Sequence, residues 1–172
     1  MKDLADYLGS ICSCVNIDLQ DPRWASRARV PSESGWYFIR TTAPADVLAR
    51  QVLWASSYKT KRDGETKKVG NYDLALRASR YRSDLDRFWN IKEVYSGLAD
   101  NLQSRAREHT FPNEGTGGLA LSRYPELYQF GWLFCFVTLR RFCSKTSCDD
   151  MLLKLGEQMW RAANGWPLLC LK

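Results

Sequence analysis

The chain has 172 residues, 45% of them apolar, with seven Trp, eight Tyr and seven Phe, which excludes a disordered or low-complexity protein and suffices for one compact core. Twenty-five Lys and Arg against 19 Asp and Glu leave a formal charge of +6, which points to an anionic partner only if the excess is clustered. No run of about 18 apolar residues occurs, so neither a membrane-spanning helix nor a membrane partner is expected.

Leu4, Leu8 and Ile11 recur at helical spacing and an irregular stretch through Asp21-Pro22 and Pro31-Ser32 follows, so residues 1–34 read as an N-terminal arm. Gly35-Trp36-Tyr37-Phe38-Ile39 reads as a strand. Pro44 to Ala55 reads as a helix, with Pro44 near its first turn. Residues 59–68, KTKRDGETKK, contain no apolar side chain and are expected to form an exposed loop. Asn71 or Asp73 can cap a helix whose apolar stripe is Leu74, Ala78, Tyr81, Leu85 and Phe88, with Arg77, Arg80, Asp84 and Arg87 opposite. Lys92 to Tyr95 is a second strand, Gly97 a turn, and Asp100 with Gln103 suits a capping box for a helix through His109.

Residues 113–118, NEGTGG, form a loop without the Lys-Ser/Thr ending that a phosphate-cradling loop needs. Gln129 to Leu139 is almost continuously apolar, as a strand buried on both faces would be. Asp149-Asp150 opens a last helix that runs to about Ala163, and Pro167 to Leu171 can add an edge strand. The sum is an α+β domain over residues 35–172: a small mixed or antiparallel sheet flanked by helices, with a basic helical insert at 44–90.

The six cysteines read as reduced thiols in a cytoplasmic protein, because the chain is too long and apolar to need staples and MKDLADYLGS lacks the apolar stretch of a secretory signal. A zinc site from Cys12-x-Cys14 and Cys143-x4-Cys148 is the lesser reading, since neither spacing is the common C-x2-C knuckle.

The sole histidine, His109, follows Arg105 by four positions, so both side chains leave one face of a helical turn together with Leu102 and Ala106. A face with two polar members out of four is either solvated or lines a site. Just upstream stands Tyr95-Ser96-Gly97, with Tyr95 ten residues before Arg105. Here the sequence resembles the GIY-YIG nuclease family. Gly35-Trp36-Tyr37 is similar to the GIY element and Tyr95-Ser96-Gly97 to the YIG element. Arg105 and His109 stand at the family's spacing, and Glu157 in Glu157-Gln-Met-Trp160 matches its metal-binding glutamate. Trp36 and Ser96 replace the isoleucines. More than fifty residues separate Tyr37 from Tyr95, against ten or so in the family, so an inserted module is required. The family's late asparagine best matches Asn164, but Asn164-Gly165 also reads as an ordinary helix C-cap.

The resemblance implies hydrolysis of a phosphodiester by water activated at one metal ion, with the second-element tyrosine or a metal-bound hydroxide as base. Taken on their own chemistry, Glu157 could hold Mg²⁺ or Mn²⁺ that keeps most of its waters, and Arg105 could neutralise non-bridging oxygens. Tyr37, Tyr95 or the imidazole of His109 could take the proton from water. Between residues 59 and 82 eight Lys or Arg stand against three acids, nearly the whole net charge. Lys59, Lys61, Arg62, Lys67, Lys68, Arg77 and Arg80 are therefore the candidate contacts to a DNA backbone. The expected activity is endonucleolytic cleavage of duplex DNA. A secreted or injected DNase toxin, a non-catalytic nucleic-acid-binding module on the same fold and a purely structural domain are the alternatives; a homodimer and a preference for RNA stay open.

Overall fold

The computed structural model describes residue 7 and residues 9–52, 57–62, 65–70, 73–79, 93–111, 117–142 and 149–170, with backbone only in 57–62, 65–70, 142, 149–153 and 163–164. Its architecture is α+β, as expected. Strands β1 (Ser13–Asn16), β2 (Gly35–Thr41), β5 (Glu93–Ala99) and β6 (Trp132–Thr138) form one antiparallel sheet in the order β1-β6-β2-β5. Strands β3 (Ser57–Arg62) and β4 (Glu65–Gly70) pair separately as an antiparallel ribbon. The helices are α1 (Trp24–Arg27), α2 (Ala45–Ala49), α3 (Leu74–Ser79), α4 (Leu102–Thr110), α5 (Leu139–Phe142) and α6 (Asp149–Asn164), with 3₁₀ turns at Leu121–Arg123 and Pro125–Gln129.

Alternation along β2 gives the sheet two different faces. Tyr37 and Ile39 point to one, where Leu102, Ala106 and His109 of α4 are fully buried, the first two in one core cluster with Phe134. Trp36 and Phe38 point to the other, where α6 lies across them: Phe38 stacks on Trp160 at 4.9 Å, and Gly156 meets the Trp36 indole so closely that a Cβ would not fit. Glycine at 156 is therefore what lets α6 approach the sheet. Asn101 caps α4, its Oδ1 accepting from the Ser104 amide at 2.9 Å, one position after the expected Asp100.

Several expectations need correction. Residues 59–68 are not a loop: most of them lie in β3 and β4, with Lys59 paired to Lys68 and Thr60 to Lys67. The overlooked signal was Asp63-Gly64 between two runs containing Tyr, Thr and Val, a dipeptide favoured between hairpin strands. Gly97 is not a turn but lies within β5, opposite Tyr37. The region expected as an irregular arm contributes β1, paired with β6, and the short helix α1.

The helix at 44–55 is shorter, Ala45–Ala49 after Pro44; the buried Gln51 follows it, its side-chain amide donating to the Val47 carbonyl at 2.9 Å and to Glu126 at 3.0 Å. No strand forms at 167–170; instead a turn is closed by Cys170 N–H to Pro167 O at 3.1 Å and joined to β5 by Leu169 N–H to Val94 O at 2.9 Å. Nor are all the cysteines reduced, since Cys14 and Cys135, cross-strand partners in β1 and β6, form a disulfide. In the expected long helix, Leu74 and Ala78 are fully buried on α3 and the Leu76 amide bonds Asp73 at 2.8 Å, whereas Arg80 and residues 81–88 lie outside the described residues, as do Leu4 and Leu8. Among the described residues no helix is long and apolar enough to cross a membrane.

Candidate active site

Strands β2 and β5 pair so that Tyr37 faces Gly97 and Ile39 faces Tyr95. The phenol of Tyr37 leans across Gly97, where a Cβ would come within 2.5 Å of its hydroxyl, and so reaches α4. There Tyr37 Oη lies 2.7 Å from His109 Nε2 and accepts from Arg105 Nε at 3.2 Å. Tyr95 stacks on Tyr37 at 6.2 Å and abuts the His109 ring at 4.7 Å. Arg105 is held on its other side by Glu108, 3.0 Å from Nη1. Four of the residues singled out in the sequence, Tyr37, Tyr95, Arg105 and His109, thus form one cluster.

His109 is completely buried and Tyr37 almost so. The Leu119 amide donates to His109 Nδ1 at 3.3 Å, which assigns the neutral ring's proton to Nε2. Nε2–H therefore donates to Tyr37, whose oxygen accepts two hydrogen bonds. Burial, reinforced by the nearby Arg105 charge, holds the imidazole well below its ordinary pKa and hence neutral. Burial likewise raises Tyr37 well above the usual phenol value, and the Tyr95 oxygen adds to this while Arg105 opposes it. Tyr95, only partly buried, is also raised, by desolvation first. Burial works against the Arg105 charge, but the oxygens of Tyr37, Tyr95 and Glu108 outweigh it and keep the guanidinium ionised.

Glu157 is not in this cluster. It sits on α6 against the opposite face of the sheet, in an ion pair with Arg161 one turn on. Desolvation raises its carboxyl above the ordinary value and Arg161 opposes the rise. The two faces communicate at β5: the Glu157 charge acts on Tyr95, and Glu157 lines a small pocket with Tyr37, Ser96, Gly97, Phe38 and Trp160. Its free volume of about 20 Å³ is no larger than a water molecule needs and excludes a nucleotide.

Sequence reasoning missed four participants. Arg161 donates from Nε to Ser96 Oγ at 2.9 Å and from Nη2 to Ser96 O at 3.1 Å, and lies 4.5 Å over the Trp166 ring, so it anchors Glu157 to β5. The Glu157-x3-Arg161 and Arg105-x2-Glu108 spacings are legible helix pairs that could have revealed Arg161 and Glu108. Leu119 acts through its backbone and Cys170 through its contacts with Ser96, neither of which leaves a mark in the sequence. Asn164 ends α6, and the Gly165 amide bonds Arg161 O at 2.9 Å with φ +88°, the backbone of a glycine-terminated helix. Of the basic residues, Arg77 lies on α3; Lys59, Lys61, Arg62, Lys67 and Lys68 lie in the β3–β4 ribbon.

No family model matches the chain, and neither a curated protein nor a solved structure matches it.

Proposed function

We propose that the protein is a metal-dependent endonuclease of the GIY-YIG type that hydrolyses phosphodiester bonds of duplex DNA. The observation that carries this reading is the convergence of Tyr37, Tyr95, Arg105 and His109 on one point, where the two tyrosine-bearing strands lie side by side and the helix after the second brings its arginine and histidine onto the first tyrosine.

The residues divide by exposure. His109 and Tyr37 are sealed and neutral, and their task is to aim Arg105. Arg105, about a quarter exposed in its side chain, is the cation available to the non-bridging oxygens of a phosphate. Tyr95, half-buried beside Arg105, is the phenol best placed to orient an attacking water; burial raises its pKa and keeps it protonated, so it holds the water rather than deprotonating it. Glu157 would offer hard oxygen donors to Mg²⁺ or Mn²⁺ from its position on α6. Such an ion, when bound, supplies Lewis-acid polarisation of the phosphate and a more acidic water. The β3–β4 ribbon and α3 would track the DNA backbone.

The deciding experiment incubates the purified chain with supercoiled plasmid, with Mg²⁺, with Mn²⁺ and with a chelator. Relaxed or linear product only in the metal-containing arms is the expected result. The burial of Tyr37 and His109 and the Glu157–Arg161 pair favour one second reading, a non-catalytic nucleic-acid-binding module on the same fold. Retention of plasmid without cutting in every arm would select it. A cytoplasmic setting is proposed with the nuclease. Persistence of the Cys14–Cys135 disulfide in protein isolated under thiol-blocking conditions would instead favour a secreted toxin.

A further inference from the structure

A C-x-C pair on a strand sends both thiols to the same face, because side chains alternate. Cys14 begins this arrangement in β1 and Cys12 stands just before the strand, while the β1–β6 register sets Cys135 directly opposite Cys14. The three Sγ atoms all lie within 4.8 Å of one another, and Cys12 Sγ is 4.0 Å from Cys14 Sγ. A disulfide needs two sulfurs. The third, Cys12, is a free thiol packed beside Trp36 and Val137, and the proposed nuclease chemistry makes no use of it.

We propose that Cys12, Cys14 and Cys135, when reduced, form a three-thiolate site for a thiophilic divalent cation, Zn²⁺ foremost, with its fourth position open to solvent. With Zn–S near 2.3 Å, tetrahedral geometry sets sulfurs about 3.8 Å apart, close to the Cys12–Cys14 separation. Thiolate sulfur selects soft and borderline ions over Mg²⁺, so this site and the one at Glu157 would not compete. Cys135 is buried, whereas Cys14 is exposed on the edge strand, which gives the ion an entry path and leaves a side for water. Three thiolates and Zn²⁺ carry a net charge of −1. Burial raises the Cys12 thiol to about 11 and the charges of Arg40 and Arg141 oppose the rise; Arg141 is also bonded to Ser13 between the two cysteines at 3.2 Å, so cations stand near the excess charge.

The disulfide is the metal-free state of this site. A thiol reductant breaks the Cys14–Cys135 bond by exchange: two electrons and two protons pass to the protein sulfurs, and the reductant becomes its own disulfide. Binding of the ion then releases the three thiol protons to solvent. In both states β1 is tied to β6 across 121 positions of sequence, by a covalent bond in one and by the ion in the other.

Titration of the full chain with Co²⁺ as a spectroscopic probe, followed by displacement with Zn²⁺, tests this. The reduced protein is expected to take up one equivalent, with thiolate-to-cobalt charge transfer and the intense visible bands of a four-coordinate ion. The disulfide form is expected to take up none. Cys12→Ser leaves the disulfide pair untouched and should fold normally, yet it should weaken uptake by at least about 10-fold, the loss that even disturbance of a ligand's outer partners produces. A Cys143→Ser/Cys148→Ser double variant should bind like the wild type. The proposal is overturned if the reduced, folded wild type shows no charge-transfer band, if Cys12→Ser takes up Co²⁺ as tightly as the wild type, or if the band disappears in the double variant, which would move the ligands elsewhere.

Discussion

Tyr37 and His109, 72 positions apart, are joined by a 2.7 Å hydrogen bond inside the core, and the bond runs from Nε2–H to the phenol oxygen because the Leu119 amide occupies the other ring nitrogen. The sequence signature that resembles a nuclease is thus, in the folded chain, first of all a buried polar network. Such a network stabilises only while every member is satisfied.

Tyr37→Phe is expected to destabilise the fold by about 1–3 kcal/mol, since it leaves His109 Nε2–H without its buried acceptor and releases Arg105. Urea unfolding would measure this. A phenylalanine variant as stable as the wild type would mean that a water or another acceptor replaces the phenol.

The same pair shapes the pH dependence of stability. The folded-state pKa of His109 is depressed, so below about pH 6.5 the unfolded chain takes up a proton that the native chain refuses, and stability falls by up to about 1.4 kcal/mol per pH unit. The folded-state pKa of Tyr37 is raised, so its contribution is intact below about pH 10 and is lost as pH climbs further, because only the unfolded phenol ionises readily. A melting-temperature profile should therefore show a plateau between these limits. His109→Gln should remove the acid limb contributed by this residue; an acid limb unchanged in that variant would trace to other groups.

Gly97→Ala tests why the second element keeps its glycine. The added methyl would stand 2.8 Å from Cζ of Tyr37, so the phenol must leave its place over β5. A loss of about 1–3 kcal/mol is expected from overpacking, together with loss of cleavage. In a Tyr37→Leu background the ring is gone, and the two substitutions should be non-additive by at least about 0.5 kcal/mol. Simple additivity would show that Gly97 is needed for the strand alone.

The parts of the fold legible in the sequence are those that follow from local rules. The strand at Tyr37, the helix carrying Arg105 and His109 and the final helix each announce themselves by periodicity and caps. The β3–β4 ribbon does not, because its runs are polar and carry no hydrophobic alternation, so only Asp63-Gly64 marks it. Strand β1 is concealed for a related reason: four residues, two of them exposed, leave too short a pattern. At the site, spacing places Arg105 and His109 on one helix face but cannot tell that the face is buried, since burial depends on which strand lies beneath it. Nor can sequence show that Glu157 lies across the sheet from His109, because strand order is a property of the assembled fold.

Glu157→Gln should distinguish catalysis from binding. If this carboxylate is the protein's donor to the metal, cleavage should fall by at least about 100-fold, equivalent to about 2.7 kcal/mol of transition-state stabilisation, while DNA affinity stays unchanged. Glutamine can still accept from Arg161, and because the pair is largely buried the variant's stability is to be measured by urea unfolding alongside cleavage. Undiminished plasmid cutting would remove Glu157 from the mechanism.

Neutralising Lys59, Lys61, Arg62, Lys67 and Lys68 together should weaken DNA binding and flatten its dependence on salt. For every phosphate that goes unneutralised, the slope of log K against log salt should shrink in magnitude by about 0.9 on duplex DNA. The five-fold variant should keep the stability of the wild type, since residues 59–68 carry no apolar side chain to contribute to a core. If the ribbon serves binding alone, the effect on cleavage should appear in KM more than in kcat at saturating DNA. An unchanged salt slope would make the ribbon an ordinary solvated surface and shift DNA binding to other cations, with Arg77 on α3 the next to test.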